Sequence, residues 1–76
     1  MDVTVYTLPS CAMCNMTKKY LDRLEIKYSE VELQNDPEAA KMVMEELGYK
    51  AAPVVIAGDA HWSGFKPELI ASLSQN

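Results

Sequence analysis

The sequence predicts an α/β fold in the order βαβαββα, a four-stranded mixed sheet flanked by three helices. Three observations carry this expectation. Apolar, β-branched runs stand near both ends, at Val3-Thr4-Val5-Tyr6-Thr7 and Val54-Val55-Ile56-Ala57. Two stretches with helical spacing lie between them, each opened by a helix-start signal. Gly58-Asp59 follows the second run and offers a tight hairpin, so a further strand returns antiparallel. Connections are short throughout, which favours one sheet with helices on both faces.

The first strand spans about Asp2 to Thr7. Val3 and Val5 occupy one face, Thr4 and Tyr6 the other, as suits a central strand covered on both sides. Pro9 breaks the ladder because it has no N–H, and Ser10 or Cys11 can cap the helix that follows. That helix runs from about Ala12 to Leu24, with Met13, Thr17, Tyr20, Leu21 and Leu24 as a core-facing stripe. Ile26 to Glu32 reads as an edge strand, since its charge density resists a central position. Asp36 caps the second helix and Pro37 takes its first position. Ala39, Ala40, Val43 and Leu47 form its apolar face, and Gly48 supplies the left-handed stop, giving residues 37 to 47. After the hairpin, Ala60-His61-Trp62 forms the last strand and Ser63-Gly64 a turn. Pro67 opens a short final helix containing Leu69, Ile70 and Leu73.

Seventy-six residues suffice for one small domain, expected to span residues 1–76. Apolar residues at 49% and charged residues at 24% place the chain among ordinary globular proteins. The opening Met1-Asp2-Val3-Thr4 lacks the basic start of a signal peptide, and no run approaches the roughly 20 apolar residues that cross a bilayer. A cytoplasmic protein is expected, where a cysteine pair is catalytic or metal-binding more often than structural. Seven basic residues against 11 acidic ones, a net charge of −4 and no basic block argue against nucleic acid or a membrane surface as partner.

Cys11-Ala12-Met13-Cys14 holds the only two cysteines, at the junction of a strand and a helix. Thiols at this spacing and in this setting are placed to exchange electrons with another disulfide. A helix N-terminus stabilises a thiolate through its unpaired N–H groups, so Cys11 is the better nucleophile. Cys14, one turn inward, is suited to resolve the mixed disulfide in an intramolecular second attack. A small copper or zinc carrier competes with this reading, with Met13 and His61 as possible further ligands. A closed zinc site, however, needs four ligands. Met13 reads more simply as a helix packing residue and His61 as a partly exposed strand residue.

The chain resembles the NrdH-redoxin group of glutaredoxin-like, thioredoxin-fold proteins over essentially its whole length. The resemblance lies in Val5-Tyr6-Thr7, Pro9-Ser10-Cys11-Ala12-Met13-Cys14, Ala52-Pro53-Val54-Val55 and, most specifically, Trp62-Ser63-Gly64-Phe65-Lys66-Pro67. It implies a thioredoxin/glutaredoxin fold and a thiol–disulfide oxidoreductase with Cys11 attacking and Cys14 resolving. It also implies a cis Pro53 that sets the Ala52 backbone beside the thiols. Ala12, Met13, Ala52, Pro53, Trp62, Ser63, Gly64, Phe65 and Lys66 are then expected to bind substrate or partner. No cofactor is bound; NADPH and FAD are used by the partner, thioredoxin reductase. The other partner implied is the large subunit of class Ib ribonucleotide reductase, served by a monomer. A glutathione-dependent glutaredoxin is the enzymatic alternative. The group often carries a basic residue before the active-site proline, where this chain has Leu8. Weak use of anionic glutathione is expected from that change, with the thiolate leaning on the helix terminus and on Lys18.

Overall fold

Alternating burial along β1 (Val3–Thr7) puts Val3, Val5 and Thr7 inward on one face, with Thr4 and Tyr6 half-buried on the other. A strand covered on both faces belongs in the interior of a sheet. β1 accordingly pairs in parallel with β2 (Ser29–Glu32) and antiparallel with β3 (Val54–Ala57). β3 in turn pairs antiparallel with β4 (Ala60–Ser63), giving the order β2-β1-β3-β4. Among the described residues, three α-helices complete the computed structural model: α1 (Ala12–Arg23), α2 (Pro37–Lys41) and α3 (Pro67–Ser72). The structure describes residues 2–74; residues 1, 75 and 76, which the expected domain also spans, lie outside the described residues.

Register sets Val5 opposite Val55 and Val3 opposite Ala57, so their side chains share one face. Leu21 of α1, Ile70 of α3 and Trp62 of β4 close over that face to form the core. Leu21 and Ile70 are fully buried, and each such side chain stabilises the fold by roughly 1.5–3 kcal/mol. Val54, also fully buried, faces the other way and needs cover there. Val43, in the segment that follows α2, is likewise buried and lies outside that core cluster. β1 is therefore central and β2 an edge, as its glutamates require.

Four local features differ from the sequence reading. α1 stops at Arg23 because the Glu25 N–H donates to Asp22 O at 3.0 Å and the Ile26 N–H to Leu21 O at 2.9 Å. This is a Schellman closure with Glu25, not glycine, at the left-handed position (φ 59°), so no glycine marks it in the sequence. With Ile26 held in that turn, β2 starts only at Ser29, although Ile26 and Tyr28 still lie against the core. The second helix begins as read, with the Ala39 N–H donating to Asp36 Oδ1 at 3.0 Å and Pro37 in the first turn. It then widens into a π-turn over Met42–Glu46, and Leu47 N–H reaches back to Met42 O. Apolar residues at 39, 40, 43 and 47 suit either winding, so their spacing conceals the change. Gly48, at φ 79°, ends it. Finally, Met13 does not join the buried stripe of α1, which is Cys14, Thr17 and Leu21; it is 45% exposed.

Candidate active site

Thr7 ends β1, and Leu8-Pro9-Ser10 turns the chain toward α1, with Ser10 in the left-handed region at φ 58°. Cys11 is the helix N-cap, in extended conformation. Its carbonyl accepts the first helical bond from Asn15 N–H at 3.2 Å, and its Sγ accepts the Cys14 N–H at 3.1 Å. A sulfur thus fills the place a Ser or Asp oxygen takes at other helix starts. Cys11 and Cys14 form a disulfide, with Cα atoms 5.2 Å apart. Cys14 is 1% exposed, whereas Cys11 is only half-buried. A large partner therefore reaches one sulfur and not the other.

Two distant segments are fastened beside this pair. The Ala52–Pro53 bond is cis, and Pro53 is buried. Ser63 Oγ donates to Ala51 O at 2.9 Å and the Gly64 N–H to Pro53 O at 2.8 Å, locking the proline loop to the turn after β4. Gly64 sits at φ 88°, a backbone shape that side chains resist, and a Cβ there would stand 3.5 Å from Met13 Cε. Met13, Pro53 and Gly64 thus adjoin, although about 40 residues separate the first two along the chain. Ala12 is exposed and Ala52 half-buried.

The rest of the final motif faces inward to differing degrees. Trp62 is 6% exposed within the core, and its indole N–H finds no acceptor among the described residues. Phe65 meets Tyr20 edge-to-face at 6.1 Å, tying the turn to α1. Lys66 Nζ donates to Ser63 O at 3.2 Å. His61 lies on β4, where its Nδ1 is 2.8 Å from the Tyr49 hydroxyl. Among the described residues, no three His, Cys, Asp or Glu side chains are grouped to hold a metal ion, and no helix is long and apolar enough to cross a membrane.

Comparison with known proteins agrees with this geometry. Residues 3–62 match the glutaredoxin family model. The glutaredoxin-like protein NrdH of Lactococcus lactis subsp. cremoris is 40% identical over 72 residues, covering 95% of this chain and 99% of that one. The solved NrdH-redoxin of Escherichia coli superimposes with a TM-score of 0.91 at 37% identity, over 96% of this chain and 95% of that one. The glutaredoxin of Archaeoglobus fulgidus follows at 0.79 and 28%, over 99% and 87%. This chain belongs to the glutaredoxin family as an NrdH-redoxin. It is a thiol–disulfide oxidoreductase with a thioredoxin/glutaredoxin fold, and Cys11–Cys14 is its redox disulfide.

In this redoxin Lys18 serves a partner other than Cys11. Its Nζ lies 3.1 Å from Glu30 Oε2, and the same oxygen accepts the buried Thr7 hydroxyl at 2.8 Å. The Thr7 hydrogen bond, then that from Lys18, holds the Glu30 carboxyl below its ordinary range, against a smaller opposing effect of burial. Neither Thr7 nor Glu30 draws notice in the sequence, because 23 residues separate them and only parallel pairing of β1 with β2 joins them. A carboxyl with a depressed native pKa stabilises the fold at neutral pH. That contribution disappears as pH falls through the native value, below the ordinary 4.5. Glu30→Gln should therefore lower stability near neutrality and converge with the unmodified protein in acid. The difference should stay below about 1 kcal/mol, as for exposed ion pairs. Urea denaturation across that pH range measures it; a gap that widens in acid would contradict this assignment.

Proposed function

We propose that this redoxin carries electrons in the cytoplasm, as a monomer, from an NADPH-dependent thioredoxin reductase to the large subunit of class Ib ribonucleotide reductase. The observation that carries the reading is the pairing of a reachable Cys11 at the helix N-cap with a buried Cys14 behind it. Full-length likeness to NrdH proteins supplies the partners, and the thioredoxin-like activity profile described for the E. coli relative favours the reductase over glutathione.

In the reduced protein, Cys11 thiolate is favoured by the Cys14 N–H and the α1 N-terminus. It attacks one sulfur of the target disulfide. A bond forms between Cys11 Sγ and that sulfur, the target S–S bond breaks, and the second target sulfur leaves as thiolate. Cys14 then loses its proton and attacks Cys11 Sγ. The first target sulfur leaves, the target holds two thiols, and the redoxin holds the Cys11–Cys14 disulfide. Two electrons have moved. Thioredoxin reductase restores the dithiol, and NADPH and FAD do their chemistry on that enzyme.

Around this exchange, Ala12 and Met13 offer exposed surface next to Cys11, and the Ala52 backbone beside Pro53 receives an extended substrate segment. Ser63 and Gly64 hold the proline loop. Trp62, being buried, contributes by anchoring that turn more than by direct contact, with Phe65 and Lys66 at its edge. Leu8 stands where a cation would help seat a glutathione carboxylate, which disfavours the glutaredoxin alternative.

NADPH consumption with purified thioredoxin reductase and a protein disulfide, run beside a glutathione and glutathione reductase system, tests the route. Consumption that needs Cys11 and occurs with thioredoxin reductase is expected. Activity with glutathione alone would overturn the partner assignment while leaving the thiol chemistry intact.

A further inference from the structure

A groove of about 350 Å³ runs between α1 and the turn after β4, lined by Met16, Lys19, Tyr20, Arg23 and Phe65. Met13, Met16, Tyr20 and Arg23 follow one another at three- and four-residue spacing, so they stand along one face of α1. The half-buried edge-to-face pair of Tyr20 and Phe65 gives the groove aromatic surface. Met16 is 47% exposed, and Lys19 and Arg23 are exposed beside it. No carboxylate lines the groove. Asp22 borders a separate depression with Lys18 and Tyr28, and the one ion pair among the described residues joins Lys18 to Glu30. A protein of net charge −4 thus carries a local strip that is both cationic and apolar.

We infer that this strip docks an acidic segment of the disulfide-bearing substrate protein, one that carries an apolar residue among its carboxylates. The inference deepens the proposed protein-disulfide reaction and rests on it. Cys11 caps the same helix, and exposed Met13 continues the strip toward it. At about 1.5 Å per helical residue, Lys19 and Arg23 lie roughly 12 and 18 Å along α1 from Cys11. An extended chain advances about 3.3 Å per residue, so positions about four to six beyond the attacked cysteine come level with them. An accessible disulfide lies on a loop or tail able to follow the helix that far, which commits the surface to the substrate rather than to the reductase. Carboxylates there meet Lys19 and Arg23, whose guanidinium donates two parallel N–H bonds. The apolar residue between them covers the unbranched thioether of Met16 and the aromatic pair. Because the protein as a whole is negative, attraction for such a segment is confined to this strip and fixes its direction.

The test uses the reduced redoxin and single-cysteine peptides held in mixed disulfides with a chromogenic aryl thiol. Beyond Ser-Gly spacers on both sides of the cysteine, the peptides carry Asp-Leu-Asp, Asn-Leu-Asn or Asp-Ser-Asp. Cys11 thiolate bonds to the peptide sulfur, the peptide–aryl S–S bond breaks, and the aryl thiolate leaves with the electron pair and is measured. Cys14 then displaces the peptide thiol and closes the Cys11–Cys14 disulfide. Each rate is normalised to that of the same protein with the mercaptoethanol–aryl mixed disulfide, which has no segment to dock. At low salt the Asp-Leu-Asp peptide is expected to react about fivefold faster than Asn-Leu-Asn and about twofold faster than Asp-Ser-Asp. The first advantage should shrink to about twofold or less in 0.5 M salt. Lys19→Ser with Arg23→Ser should abolish it. Lys27→Ser with Lys41→Ser changes the net charge equally at exposed positions outside the strip and should preserve it. Equal rates for the Asp-Leu-Asp and Asn-Leu-Asn peptides, or equal losses in the two double variants, would overturn the docking surface alone. Asp-Ser-Asp reacting as fast as Asp-Leu-Asp would overturn its apolar component. Slower turnover of the Lys19, Arg23 variant by thioredoxin reductase, with peptide rates unchanged, would give the strip to the reductase and overturn the assignment to substrate. Failure with every disulfide, the mercaptoethanol one included, would overturn the thiol-exchange reading and the docking surface together.

Discussion

Replacing Cys11 with serine lowers protein-disulfide reduction by at least about a thousandfold, because a serine hydroxyl is barely ionised at neutral pH and cannot stand in for a thiolate. Cys14→Ser gives a different outcome. Cys11 remains at the helix N-cap, half-buried and hydrogen-bonded to the residue 14 N–H, so the first attack proceeds. The second does not, since the sulfur that would displace the substrate is gone. A covalent complex accumulates in stoichiometric amount, visible by non-reducing electrophoresis and dissolved by dithiothreitol. Burial explains why the roles are not interchangeable. Cys14 is 1% exposed, and a protein disulfide cannot approach it without displacing α1. If Cys11→Ser trapped substrate and Cys14→Ser did not, the assignment of the two sulfurs would be reversed.

Leu21→Ala should have the largest effect on the fold itself. Leu21 is fully buried where α1 meets Val3, Val5 and Ile70, and truncation there costs about 3 kcal/mol through lost burial and the cavity left behind. A domain of this size holds roughly 4–11 kcal/mol in total, so the loss is a large share. Thermal denaturation of the oxidised protein should show a Tm lower by about 12–24 °C. Met13→Ala, on the same helix but 45% exposed, should change stability by no more than about 0.5 kcal/mol. A large loss at Met13 and a small one at Leu21 would mean that α1 is rotated from the orientation described.

Much of the architecture was legible because local chemistry and position agreed. Val3–Thr7 carries bulky groups on both faces and lies in the sheet interior, while the glutamates of β2 lie at an edge. Asp36-Pro37 starts α2 through an oxygen that accepts the Ala39 N–H. Elsewhere the sequence misled for identifiable reasons. A helical stripe at three- and four-residue spacing drew Met13 inward, yet it lies on the exposed side of the first turn, over Gly64. Glu25 closes α1 in a conformation usually left to glycine, so the stop was unmarked. Lys18 lay near enough in sequence to suggest a thiolate partner, but its ammonium is held by Glu30.

The redox pair itself needed no long-range information: two thiols one helical turn apart, at a strand-to-helix junction, define their chemistry through local backbone geometry. What surrounds them did. The junction of Met13, Pro53 and Gly64, the Thr7–Glu30–Lys18 cluster and the groove of Met16, Tyr20 and Phe65 each join residues far apart along the chain. Such contacts exist only once parallel and antiparallel pairing has brought the ends of β1 and β3 together. No short-range pattern encodes them, because hydrogen bonding and burial select partners by proximity in space.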